Sequence, residues 1–208
     1  MQRLLVFLKY PTPGQVKTRL AARLGPDAAA EIYRTCAQVT LTRLAEFQDR
    51  TVVCVEPPES IAPTQAWLGA EWRLRPQQGQ TLGHRLAEAI SDAFQQGVQH
   101  VIAIGTDSPW LQPRHIHAAF DLIKTADLIV GPTEDGGYYL IGLSRPAPEL
   151  FEGIAWSSSE VCRQTIDQAK QLGLSYRLLP VGYDIDHVDD VKRFLADQQR
   201  SGPSSSPS

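Results

Sequence analysis

Cysteine is scarce in this chain. Cys36, Cys54 and Cys162 are odd in number and widely spaced, with no Cys-x-x-Cys pair. That argues against a disulfide framework or a thiolate metal site and is the pattern of reduced, packed thiols in a cytoplasmic protein. Long apolar runs are missing too. Arg3-Leu-Leu-Val-Phe-Leu-Lys9 is too short for a signal peptide or a membrane span, so integral membrane association is not expected. There is little excess of charge of either sign. A formal net charge of −3 gives no reason to expect a nucleic-acid polymer or an anionic membrane as partner. Several catalytic signatures are absent as well: no Gly-x-Gly-x-x-Gly run, no zinc-ligand pattern and no Ser-His-acid order. Internal repeats are lacking, and nothing in the sequence fixes an oligomeric state.

What remains is an ordinary globular composition. A chain of 208 residues, 42% hydrophobic and 21% charged, is long enough for one substantial core. One domain is expected over residues 1–199. The Ser- and Pro-rich stretch 200–208 reads as a disordered tail. The chain is organised around His100-Val-Ile-Ala-Ile-Gly-Thr-Asp-Ser-Pro-Trp-Leu111. Val101 to Ile104 form the kind of apolar run that a strand buried on both faces requires, and Gly105-Thr-Asp-Ser-Pro109 turns the chain immediately after it. Asp107 then stands at a strand's carboxyl end, where open α/β sheets bind ligands. A lone Asp there also makes Asx turns and helix caps.

Elsewhere, strands and helices alternate. Leu4 to Leu8, Thr51 to Val55, Trp72 to Arg75, Asp127 to Gly131, Tyr138 to Leu143 and Ser175 to Leu179 read as strands. Helices are expected after Gly25-Pro26, over 63–68 and 84–96, around Ile116 to Ile123, after a capping box at Ser157-Ser-Ser-Glu160, and from Tyr183 onward with Val191, Phe194 and Leu195 on the buried side. The pattern predicts an α/β fold, a three-layer α/β/α sandwich on a mostly parallel central sheet.

The polar residues between these elements suggest chemistry. Tyr10-Pro-Thr-Pro-Gly14 forces an extended loop that delivers Lys17 and Arg19 near the end of the first strand. A Walker A loop is excluded because Val16 precedes Lys17 and the loop glycines are missing. The cations form either a solvated patch or a phosphate site. Acids fall at strand ends in three places: Asp107, Glu134-Asp135 before Gly136-Gly137, and Asp184 with Asp186. Carboxylates facing cations across a cleft suit a nucleotide phosphate bridged by Mg²⁺ or Mn²⁺, since hard divalent ions take oxygen ligands.

The blocks Phe7-Leu-Lys-Tyr-Pro-Thr-Pro-Gly-Gln-Val-Lys-Thr-Arg-Leu20, Leu82-Gly-His-Arg85, Gly105-Thr-Asp-Ser-Pro109, Gly131-Pro-Thr-Glu-Asp-Gly-Gly-Tyr-Tyr-Leu-Ile-Gly142, Phe151-Glu-Gly-Ile-Ala-Trp156 and Asp184-Ile-Asp186 occur in that order. Together they resemble a family of small bacterial glycosyltransferases with the GT-A, nucleotide-diphospho-sugar transferase fold, some of them linked to arsenosugar biosynthesis. The layout is also similar to the phospholactate guanylyltransferases. The likeness extends over residues 3–196, with His84 and His187 as departures. It implies the GT-A fold, and a metal-dependent glycosyltransferase that moves a sugar from a nucleotide-sugar donor to a small-molecule acceptor. The alternatives are a nucleotidyltransferase that uses a nucleoside triphosphate and releases pyrophosphate, and a nucleotide-binding protein without turnover. Under the transferase readings, Asp107, Asp186 and Asp184 are the expected metal ligands and Asp135 the expected catalytic base. Pro11, Gly14, Lys17, Arg19, Gly83, Arg85, Gly136 and Gly137 are the expected nucleotide-binding residues.

Overall fold

The computed structural model describes residues 1–201. Seven strands form one sheet: β1 (Gln2–Lys9), β2 (Thr51–Glu56), β3 (Leu74–Pro76), β4 (His100–Ile104), β5 (Leu128–Pro132), β6 (Tyr138–Leu143) and β7 (Tyr176–Leu178). Their order is β3-β2-β1-β4-β6-β5-β7. All neighbours are parallel except those of β6, which runs antiparallel to both β4 and β5. Residues 133–137 between β5 and β6 are too few for a parallel crossover, so the chain returns as a hairpin.

Period-two alternation along the central strands feeds two cores, as burial on both faces of a parallel sheet demands. Leu4, Val6, Leu8, Ile102 and Ile104 face one core. There they pack with Ala37 and Leu41 of α2 (Pro26–Arg43) and with Ile116, Ala119 and Phe120 of α5 (Pro113–Leu122). Leu5, Cys54, Val101 and Ala103 face the other. They meet Leu86, Ala89, Ile90 and Ala93 of α4 (Leu82–Gln95) and Ala169 of α6 (Val161–Gln171). This is the expected three-layer sandwich. A smaller core joins α1 (Thr18–Leu24) and α2 to α7 (Val188–Ser201) through Leu20, Ala29, Cys36, Ile185 and Phe194. The remaining helix, α3 (Ile61–Leu68), lies beside β2 and β3.

Four local expectations are corrected. Leu195 is 55% exposed, because Phe194 and not its neighbour takes the buried stripe of α7. No capping box forms at Ser157 to Glu160: Glu160 makes no side-chain cap bond, and the Ser158 hydroxyl donates to the Ala155 carbonyl at 2.6 Å. The last helix, expected from Tyr183 onward, begins only at Val188; in addition, Arg19 lies in α1, a short helix that the apolar spacing did not reveal. The tail expected over 200–208 lies outside the described residues from 202 onward. Cys36, Cys54 and Cys162 are all free, the first two buried.

The layering makes a stability prediction. Ile102 is fully buried at the centre of β4, so Ile102→Ala is expected to cost about 2–5 kcal/mol. Leu195→Ala is expected to stay within about 0.5 kcal/mol of the parent. Urea unfolding of both variants measures the contrast, and equal losses would contradict this assignment of the core.

Candidate active site

The sheet changes direction of progression between β1 and β4. From β1 the chain moves outward to β2 and β3, and from β4 it builds the other side. Strands on either side of such a switch leave a crevice beyond their carboxyl ends. Hydrogen bonds from one buried tyrosine hold its two lips together. The Lys9 backbone N–H donates to the Tyr33 hydroxyl at 2.9 Å, and that hydroxyl is 2.9 Å from the Thr106 hydroxyl.

Beyond β1 the loop turns at Gly14, whose φ of 79° favours glycine, while Pro11 and Val16 are buried as anchors. Lys17 follows in a left-handed conformation, φ 47° and ψ 50°, at the start of α1. For a non-glycine residue that conformation costs on the order of 1–3 kcal/mol and persists only where surroundings enforce it. Here the enforcement is electrostatic. The Lys17 ammonium, with its side chain 5% exposed, lies 2.5 Å from Asp107 and 3.0 Å from Asp186. Burial works to discharge it, but the two carboxylates outweigh burial and hold its pKa well above the ordinary lysine value. Arg19 reaches the other oxygen of Asp186 at 2.9 Å and stays 61% exposed. Burial favours the neutral form of Asp186, yet Lys17, Arg19 and His187 together keep its pKa below the usual carboxylate range.

The acids come from three directions. Asp107 leaves β4. Asp184 and Asp186 lie on the segment before α7, which is fastened to Asp107 by the Ile185 N–H donating to the Asp107 carbonyl at 2.9 Å. Asp184 accepts the Ser108 hydroxyl at 2.5 Å. Asp190 also serves this segment, taking the N–H groups of Asp186 and His187 at 3.1 and 2.7 Å. Asp135 comes from the β5–β6 turn, where its Oδ1 accepts the Thr133 hydroxyl at 2.6 Å and the Gly137 N–H at 3.1 Å. Glu134 points elsewhere, to Arg193 on α7.

Asp184 is the electrostatic outlier. Burial and the negative charge of Asp107 push its carboxyl up to about 7, against the opposing Ser108 hydrogen bond and Lys17 charge. Its oxygens, with those of Asp107, are of the chemical kind a hard divalent cation takes, and a cation there would relieve the strain of ionising both. Among the described residues, no three His, Cys, Asp or Glu side chains form a preassembled metal cluster, so such an ion would need oxygens from substrate or water as well.

The cleft has two connected halves. The more apolar one, about 400 Å³, is lined by Phe7, Glu56, Gln77 and Arg85 among others. The polar one, about 650 Å³, contains Lys17, Arg19, Asp135, Asp186, Trp156 and Ser157 to Ser159. Lys9, Tyr33, Leu82, Asp107, Tyr138 and Asp184 border both. Arg85 pairs with Glu56 at 2.5 Å and donates to the Gly79 carbonyl at 2.9 Å. Gly83 and Gly136 do not form the open wall: a Cβ at Gly83 would sit 2.7 Å from the Trp156 indole, and one at Gly136 would collide with the Ser159 carbonyl. Both glycines seat the 156–159 segment. Sequence reasoning missed Lys9, Tyr33, Glu56, Gln77 and Trp156 as cleft residues. Glu56 carried a usable signal, an acid ending an otherwise apolar strand.

A seven-stranded sheet in this order, with a cleft of acids and cations at its β1/β4 switch, defines the nucleotide-diphospho-sugar transferase (GT-A) fold. A protein of Desulfovibrio desulfuricans G20, provisionally described as a nucleotide-diphospho-sugar transferase, has this structure with a TM-score of 0.91. It is 34% identical, over 97% of this chain and 89% of its own. The chain belongs to the family DUF2064, described as "uncharacterized protein conserved in bacteria", which matches residues 40–158. It is also similar to two curated phosphoenolpyruvate guanylyltransferases. That of Sphaerobacter thermophilus is 30% identical over 92% of each chain. That of Chloroflexus aggregans is 25% identical over 86% of this chain and 91% of its own. No helix among the described residues is long and apolar enough to cross a membrane.

The raised pKa of Asp184 generates a pH prediction. Between the unfolded value of 3.8 and the folded value of about 7, the folded state holds a proton that the unfolded chain releases. This group's contribution to stability is therefore full below about pH 4 and is lost as pH rises to about 7. Asp184→Asn keeps the hydrogen bond to Ser108 and cannot ionise. Its stability relative to the parent is expected to rise across that window and level off above it. Urea midpoints at pH 4, 5.5 and 8 test this, and a constant offset would refute it.

Proposed function

We propose that the protein is a nucleotidyltransferase of guanylyltransferase type, a single transferase domain over residues 1–199 acting in the cytoplasm. The observation that carries this reading is the similarity to a phosphoenolpyruvate guanylyltransferase along 92% of both chains. The sequence blocks alone favoured sugar transfer; the curated relatives support the nucleotidyl alternative better. In the reaction, an acceptor oxygen forms a bond to the α-phosphorus of a nucleoside triphosphate, GTP first among candidates. The bond to the bridging oxygen breaks and pyrophosphate leaves.

The residues divide the work as follows. Arg19, the more exposed cation, contacts the donor phosphates, and Lys17 adds positive charge while holding Asp107 and Asp186 together. Asp107 with Asp184 or Asp186 would hold Mg²⁺ or Mn²⁺, which when bound would supply positive charge against the triphosphate. Pro11 and Gly14 shape the donor loop, and Gly137 lies beside Asp135 in the polar half. Arg85, with Glu56 and Gln77, borders the apolar half, which suits the base. Asp135 takes the acceptor proton: Oδ1 is held by the turn, and Oδ2 has no protein partner among the described residues. A second reading, sugar transfer from a nucleotide-sugar donor, is favoured by the likeness to the Desulfovibrio protein. On that reading a nucleoside diphosphate is released.

Two measurements test this. With Mg²⁺ and an acceptor mixture, GTP is expected to yield pyrophosphate, while GDP-sugars yield no GDP; the reverse outcome replaces the proposal with sugar transfer. Arg19→Ala is expected to weaken GTP binding about ten- to hundredfold, the loss of a charge-assisted contact, and to leave guanosine binding nearly unchanged. Calorimetric titration that finds equal weakening for both ligands would remove Arg19 from the phosphate site.

A further inference from the structure

We infer that the protein carries a second binding site, for a small phosphate-bearing anion, at the end of the sheet opposite the cleft. The site is a cavity of about 200 Å³ between β1, β2 and β3 on one side and the later part of α4 on the other. It shares no lining residue with the cleft, and it does not depend on the reaction proposed above.

Strand alternation builds the cavity. Leu5 and Cys54 belong to the core that α4 covers, and Val52 packs against it. Residues two apart on a strand share a face, so Arg3 stands on the α4 side with Leu5. Cys54 is the register partner of Arg75, which brings Arg75 and, two residues earlier, Arg73 to that side as well. From across the gap α4 presents Ala89, Asp92, Ala93 and Gln96, whose spacing of i, i+3, i+4 and i+7 makes one helical face. Two of those four are alanines, and their short side chains leave the space open. Lys9, which borders the cleft, lies six residues further along β1 from Arg3, or about 20 Å.

The charges in this cavity are unevenly matched. Three guanidiniums line it, with Asp92 as the one acid. Arg75 is neutralised from α4, with its Nη1 2.6 Å from Asp92 and its Nη2 2.8 Å from Glu88 just outside the cavity. Gln96 donates to the same Asp92 oxygen at 2.8 Å. Both acids are thus committed, and one positive charge is left in surplus. Arg3 and Arg73 have no ion pair or side-chain hydrogen bond among the described residues, and the Arg3 Nε is buried with no acceptor. A buried N–H without a partner is costly. Water would satisfy that one donor; an anion would satisfy it and offset the surplus charge together. The volume excludes a nucleotide, since pockets for larger ligands run to about 300–1,000 Å³. Guanidinium forks match phosphate oxygens, and three terminal oxygens can be shared between two arginines from separate strands better than the two of a carboxylate. Leu5, Val52 and Ala93 supply an apolar wall that admits a short carbon chain. The ligand class is therefore inorganic phosphate or a short-chain phosphomonoester.

The test follows the Arg3 Nε–H signal in proton–nitrogen correlation spectra of the full-length protein, assigned by its loss in Arg3→Lys. Inorganic phosphate, glycerol 3-phosphate and acetate are titrated separately at constant ionic strength, without nucleotide. A saturable shift is expected with at least one of the two phosphates and none with acetate; the tighter of the two identifies free phosphate or a phosphomonoester as the source. Arg73→Gln, at an exposed position where the fold is not at risk, is expected to weaken that binding about tenfold through one lost charge-assisted contact. Arg19→Ala, in the cleft, is expected to leave it within about twofold, as distant sites act independently. A shift that never saturates, an equal response to acetate, affinity indifferent to Arg73→Gln, or a response abolished by Arg19→Ala would each overturn the inference.

Discussion

The Lys17 ammonium and its two carboxylates fasten together three segments far apart in the chain: the loop after β1, the turn after β4, and the stretch before α7. A lysine with its side chain 5% exposed must keep partners, because an unpaired buried charge costs several kcal/mol. Asp107 and Asp186 are 43% and 33% exposed, so water screens part of the attraction. The pair is therefore better understood as a positional constraint than as a large net source of stability. It fixes where α1 begins, at the expense of a left-handed backbone at Lys17, and it fixes the distance between the lips of the cleft.

That constraint explains the imbalance among the acids. One ammonium and one guanidinium satisfy Asp186, and the ammonium also takes Asp107. Asp184 is left with the Ser108 hydroxyl as its local compensation, and lies near the charges of Asp107 and Asp135. Four carboxylates around two committed cations amount to a site with surplus negative charge. On the nucleotidyltransferase reading proposed above, a divalent cation held between these carboxylates and the donor phosphates would offset that surplus.

Much of this architecture was legible beforehand. The apolar runs of β1, β2 and β4, bounded by turn residues, read as buried parallel strands, and Asp107 after β4 stood where such strands meet ligands, though a turn or a cap would explain it equally. The α1 helix was invisible because it spans only Thr18–Leu24, with Leu20 its buried residue, too short for a periodic stripe. The Lys17–Asp186 contact joins positions 169 apart in sequence, and no local pattern encodes such a pairing. Leu195 misled because it neighbours Phe194, and a stripe read from spacing alone is uncertain by one residue. Gly83 and Gly136 were expected to bind the nucleotide, and each instead makes room for a piece of the protein itself. The sequence could not say that the neighbours are Trp156 and Ser159, since that depends on where the 156–159 segment packs.

Asp135 gathers these threads. In isolation its hydrogen bonds to Thr133 and Gly137 describe an Asx turn, a structural role that many aspartates fill with no chemistry at all. The turn binds one oxygen only. It holds the carboxylate rigidly at the rim of the polar half of the cleft, beside a segment that two glycines allow to dock. A general base needs this kind of immobilisation, because its reach to the acceptor proton must be set before substrate arrives. The structural role and the proposed chemical one are thus compatible, and the first supplies the geometry for the second. Glu134, one residue earlier, is tied to Arg193 of α7 instead. The same turn therefore directs one acid to the scaffold and its neighbour to the cleft.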